Sequence, residues 1–146
     1  MQLESLYQQV ILDHYRNPRG KGLRGEWQGE SHQVNPTCGD EITLRVNLNR
    51  AKDQILDISY ESQGCSISQA SASVMYEQVN EKSLADFEKI FDEFYAMMQS
   101  QGKFSADEDL IGDGVAFIGV AQYPARVKCA LLAWMAAKDA IGKATQ

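Results

Sequence analysis

The chain has 146 residues, 44% of them hydrophobic, which is long enough for one core and short for two, so a single domain over 1–146 is expected. Its net charge of -6 and pI near 4.9 oppose the attraction to phosphate on which non-specific nucleic-acid binding rests, so no nucleic-acid partner is expected. The opening Met1-Gln2-Leu3-Glu4-Ser5 lacks the basic stretch of a signal peptide, and no apolar run approaches the roughly 18 residues of a bilayer span; a soluble, cytoplasmic protein is expected.

From Leu3 to Tyr15, Leu3, Leu6, Tyr7, Val10, Ile11 and His14 recur at helical spacing, and Asn17-Pro18 ends the pattern. Arg16 to Arg24 then holds four of the 14 basic residues and no acidic one, which suits either a dock for an acidic protein surface or a solvated glycine-bearing loop. Ser31 to Asn35 predicts an edge strand before Pro36. Ile42, Leu44, Val46 and Leu48 alternate with Thr43, Arg45 and Asn47, the period of a strand with one wet face, and Ile55 to Tyr60 continues in kind after a hairpin connection at Asn49 to Asp53.

After Cys65 the period changes. Ser66-Ile67-Ser68-Gln69 matches a capping box and small residues follow, so Cys65 precedes a helix N-terminus, where free amides and the helix dipole favour a thiolate. A further helix from Ser83 carries Leu84, Phe87, Ile90, Phe91, Phe94, Met97 and Met98 on one broad face, read as core. Gln101 to Gln122 is broken by Gly102, Gly112, Gly114 and Gly119 and reads as irregular chain with one helical turn; Gly112-Asp113-Gly114 lacks the spacing of a nucleotide loop. The last helix opens at Pro124, turns Val127, Leu131, Trp134 and Ile141 inward, and weakens at Gly142. Cys129 falls in its second turn, where at least one of Arg126 and Lys128 can sit near the sulfur and depress its pKa, the alternative for Lys128 being ordinary solvation on the helix surface.

Three cysteines therefore stand out: Cys38 in Cys38-Gly39-Asp40, Cys65 and Cys129. Two lie beside glycines in turns rather than inside apolar runs, and an odd count excludes complete internal pairing. Metal binding is the first reading, ahead of a metal-free reactive thiol and of inert thiols. Soft thiolates favour zinc or iron–sulfur chemistry over calcium or magnesium. Asp40 is the natural fourth ligand, because residues two apart in extended chain face one side; His32 and His14 compete for that place. Three thiolates, a carboxylate and Zn²⁺ sum to two negative charges, which Arg126 or Lys128 would help balance.

The run Tyr7 to Gly22, together with Asn35-Pro36-Thr37-Cys38-Gly39-Asp40, Gly64-Cys65-Ser66-Ile67-Ser68 and Arg126-Val127-Lys128-Cys129-Ala130, resembles the IscU/NifU-like iron–sulfur cluster assembly proteins, and within them the SufU branch. The likeness spans nearly the whole chain in order. It implies an α+β fold (SufE/NifU-like) in which a small three-stranded antiparallel sheet packs against several helices, with Cys38, Asp40, Cys65 and Cys129 meeting at one exposed end. The IscU branch has histidine immediately before its last cysteine, where this chain has Lys128, and a shorter stretch between the second and third cysteines.

Both departures point to a zinc-dependent sulfur acceptor that stimulates a SufS-type, PLP-dependent cysteine desulfurase. By resemblance, a partner histidine would displace Cys38 from zinc, the freed thiolate would take persulfide sulfur, and downstream Fe–S scaffold proteins would receive it. The rival readings are a scaffold that binds iron or a transient Fe–S cluster on the same side chains, a structural zinc domain that only binds partners and, last, a zinc hydrolase, for which four protein ligands leave no open position.

Overall fold

The computed structural model describes residues 3–146; Met1, Gln2 and the side chain of Leu3, which the helical pattern above includes, lie outside the described residues. Helix α1 spans Leu3–Arg16 and is followed by strands β1 (Gly29–Asn35), β2 (Asp40–Leu48) and β3 (Ile55–Gln63) in an antiparallel sheet of order β1-β2-β3. On the central strand the predicted alternation is complete, with Ile42, Leu44, Val46 and Leu48 all buried. Helix α5 (Pro124–Ala144) covers β1 and β2, and α2 (Ser66–Val79) packs between α1 and α5. The contact of β1 with α5 is close enough that a Cβ on Gly29 would strike the Ala140 carbonyl. The fold is α+β, as expected.

The helix from Ser83 is α3 (Leu84–Met98), and the Ser83 hydroxyl caps it by accepting from the Asp86 N–H at 3.0 Å. Its apolar face joins the core, where Phe94 stacks on Trp134 at 4.3 Å and meets Phe117 edge-on at 6.0 Å. The stretch read as irregular is more ordered than expected: α4 (Glu108–Ile111) leads into 3₁₀ segments at Gly112–Ile118 and Val120–Gln122. Packing supplies the reason, since Ile111 and Phe117 are fully buried. Gly142 does not end α5 either. Burial of Ala140, Ile141 and Ala144 around it outweighs glycine's cost of roughly 1 kcal/mol.

The basic stretch is largely exposed, but several of its cations are matched by carboxylates of the same protein. Arg19 pairs with Asp13 at 2.8 Å and Glu77 at 3.4 Å, and Arg24 takes Asp57 through two bonds of 3.0 and 3.1 Å. Lys21 lies 3.8 Å from Glu61, and the Gly22 N–H donates to the Tyr60 carbonyl at 2.7 Å, so the segment straps the edge of β3. Among the described residues no helix is long and apolar enough to cross a membrane.

His14, itself fully buried, closes a junction between α1, α2 and the first 3₁₀ segment. Its Nδ1 meets Ser73 Oγ at 2.7 Å and its Nε2 meets Asp113 Oδ2 at 2.8 Å. His14→Ala leaves a void and strips partners from both groups, so it should destabilise the fold by about 2–4 kcal/mol, read as a lower urea midpoint at unchanged m.

Candidate metal centre

Three separate pieces of chain deliver the four predicted side chains to one end of the sheet. Asn35 and Asp40 are register partners that close the β1–β2 hairpin, and Cys38 sits in the connecting turn, its N–H donating to the Asn35 carbonyl at 3.2 Å. This is not the extended chain expected from Cys-Gly-Asp. Gly39 adopts φ +70°, a left-handed turn residue, so Cys38 and Asp40 are brought together by chain reversal and not by strand alternation.

Cys65 is the N-cap of α2, at the helix terminus the sequence implies. The capping box is not formed, because Ser66 is already inside the helix and no side chain of the N-cap bonds a backbone amide. Instead the Cys65 N–H donates to Asp40 Oδ1 at 2.8 Å, so a carboxylate from β2 takes the reach-back role of a helix's own third residue. Gln69, the box's other half, bonds Ser62 Oγ at 2.9 Å.

Distances define a compact donor set. Cys38, Asp40 and Cys129 present ligand atoms that all lie within 4.8 Å of one another, and the Cys38 and Cys129 sulfurs are 3.1 Å apart. Cys65 Sγ adjoins them at 3.8 Å from Asp40 Oδ2, while standing outside that tightest trio. A tetrahedral site with Zn–S bonds of about 2.3 Å has ligand–ligand edges of roughly 3.8 Å, the same scale. All three cysteines are free thiols.

Electrostatics sharpen the case. Asp40 is 0% exposed, and among the described residues no lysine, arginine or histidine forms an ion pair with it. A buried carboxylate with no protein cation and three sulfurs around it fits a soft divalent ion as its counter-charge. Cys129 is also 0% exposed, and burial, followed by its contacts with Cys38, Asp40 and Cys65, pushes its thiol pKa well above the usual range.

The two cations expected to do the opposite do not. Arg126 and Lys128 are exposed on α5, while Cys129 turns inward, and neither makes an ion pair or hydrogen bond with a site atom among the described residues. The histidines are elsewhere too. His14 is held by Ser73 and Asp113, and His32 is exposed on β1 against Thr43 at 2.9 Å and Glu41 at 3.4 Å. Asn35, 6% exposed and not among the expected site residues, directs Nδ2 to Cys129 Sγ at 3.6 Å. Its place at the head of Asn35-Pro36-Thr37-Cys38 was the available signal.

Gly64 makes the packing between β3 and Asp40 possible. It holds φ +142°, and a Cβ there would collide with the Asp40 carboxylate and lie 2.8 Å from its Cα. Gly64→Ala should cost about 1–3 kcal/mol of stability and weaken metal retention together, measured by urea unfolding and chelator competition.

A three-stranded antiparallel sheet backed by helices thus carries three thiols and a buried carboxylate at one end, a donor set that suits a soft metal ion. The chain belongs to the NifU-like N terminal domain family, whose model matches residues 6–143. It is 42% identical to the zinc-dependent sulfurtransferase SufU of Bacillus subtilis (strain 168), covering 97% of this chain and 92% of that protein. It is 40% identical to the iron–sulfur cluster assembly scaffold protein IscU of Streptococcus pyogenes serotype M1, over 95% of this chain and 84% of that one. A crystal structure from Fervidobacterium islandicum AW-1, described as an assembly scaffold protein for the SUF system, superposes with a TM-score of 0.82 at 33% identity, covering 96% of this chain and 99% of the other.

Proposed function

We propose that this protein is a zinc-dependent sulfur acceptor in iron–sulfur cluster assembly, holding Zn²⁺ with Cys38, Asp40, Cys65 and Cys129 and taking persulfide sulfur on Cys38 from a SufS-type cysteine desulfurase in the cytoplasm. The carrying observation is the buried Asp40 carboxylate, unpaired by any protein cation yet set among three free thiols. Bound zinc supplies the charge that keeps thiols ionised in a site whose burial otherwise holds Cys129 protonated.

The choice of Cys38 as acceptor rests on the SufU likeness, and its setting supports it. Cys38 is half-buried in a glycine-bearing turn, whereas Cys129 is buried on a helix and Cys65 is tied to Asp40 through its own amide. In the transfer, the Cys38 thiolate attacks the outer sulfur of the desulfurase persulfide; a new S–S bond forms at Cys38, the old one breaks, and its electron pair returns to the desulfurase cysteine. A groove of about 800 Å³ lined by Ile11, Ser66, Ile67, Val120, Tyr123 and Arg126 reaches the residue after Cys65 and the first turn of α5, ahead of Cys129, and gives a partner loop room to approach. Downstream Fe–S scaffold proteins are the expected sulfur recipients.

The second reading, a scaffold for clusters on the same four side chains, is favoured by the 40% identity to the Streptococcus scaffold protein. Anaerobic purification with metal analysis and a desulfurase assay separates the two. Tightly held zinc with faster desulfurase turnover supports sulfur transfer; a labile cluster that moves to apo-acceptors, with no acceleration, overturns it.

A further inference from the structure

We propose that Cys38 and Cys129 form a redox-active pair, so that hydrogen peroxide converts the metal-free protein to an internal Cys38–Cys129 disulfide that zinc binding blocks. Their sulfurs already lie 3.1 Å apart, about 1 Å beyond a disulfide bond, and both are free. Cys38 is the half that can close the last ångström, because it lies in an exposed turn, with Pro36, Thr37 and Gly39 around it open to solvent and one backbone bond, to the Asn35 carbonyl, holding its own amide. Cys129 is the anchored half, on α5 with Asn35 Nδ2 at 3.6 Å from its sulfur.

Cys65 is a poorer partner. It caps α2, with its amide held by Asp40 and its sulfur against the Asp40 carboxylate, outside the trio containing the other two sulfurs.

The chemistry balances with peroxide as the oxidant. The Cys38 thiol takes one oxygen to give a sulfenic acid, releasing one water. The Cys129 sulfur then attacks that sulfenic sulfur, the S–O bond breaks, and a second water leaves with the Cys129 proton; the two thiols have lost two electrons in all. The product has consumed two of the four proposed ligands, so oxidation and zinc occupancy exclude each other.

The test uses the full-length protein, chelator-stripped and zinc-loaded, treated with peroxide and digested with trypsin without reduction. Trypsin places the cysteines in separate peptides, 25–45, 53–82 and 129–138, so the pairing is read directly. The expected result is an intact mass lower by about 2 Da, a 25–45/129–138 cross-link, and oxidation at least roughly tenfold slower with zinc. Cys65→Ser should still form the link, which guards against a variant that merely misfolds. A dominant link through 53–82, sulfinic acid at Cys38 without any link, or equal rates with and without zinc would each overturn the pairing. The pairing needs no sulfur donor, so a protein that fails to accept persulfide would still form it.

Discussion

Cys38→Ser should abolish persulfide uptake from a cysteine desulfurase in a single turnover, a loss of about 10²-fold or more, while leaving the sheet and helices intact. Serine's hydroxyl does not attack a sulfane sulfur at neutral pH, and Cys38 is a partly exposed thiol in an exposed turn. Cys129→Ser removes a proposed ligand and not the proposed acceptor, so persulfide should still appear at Cys38, with zinc content reduced. Mass spectrometry of the trapped adduct, with metal content measured in parallel, checks both. Wild-type uptake by Cys38→Ser, or an adduct at Cys129 in the native protein, would defeat the assignment of Cys38 as acceptor.

Much of the fold was legible because its patterns are local. The alternation Ile42 to Leu48 sets β2, the spacing from Ser83 to Met98 sets α3, and both reappear with the expected faces buried. What escaped depends on distant partners. The 3₁₀ chain after Gly112 winds because Phe117 reaches Phe94, and Arg19 and Arg24 find Asp13 and Asp57, pairs that no window reveals. The four candidate residues converge at one end, as the resemblance implies, by a route the sequence does not reveal. Gly39 turns the chain instead of extending it, and the cations beside Cys129 in sequence point away from it on the helix. The role of Asp40 as acceptor for the Cys65 amide was invisible for the same reason, since 25 residues separate them.

That double role of Asp40 makes the sign of one substitution depend on metal. In zinc-loaded protein the carboxylate balances the ion and holds the α2 N-terminus, so Asp40→Asn should lose affinity and lower stability by several kcal/mol, a fraction of the roughly 10–16 kcal/mol that structural zinc contributes. Once chelator has removed the ion, the same carboxylate is a fully buried charge with no cationic partner among the described residues. Asparagine keeps an oxygen to accept from the Cys65 N–H and discards the charge. Metal-free Asp40→Asn should therefore be more stable than metal-free wild type by about 1–3 kcal/mol. Urea unfolding of both proteins, with zinc and with chelator, should show the order of midpoints reversing. If wild type stays the more stable without metal, the carboxylate is compensated by the protein itself, and the strongest physical reason for placing an ion among these thiols is gone.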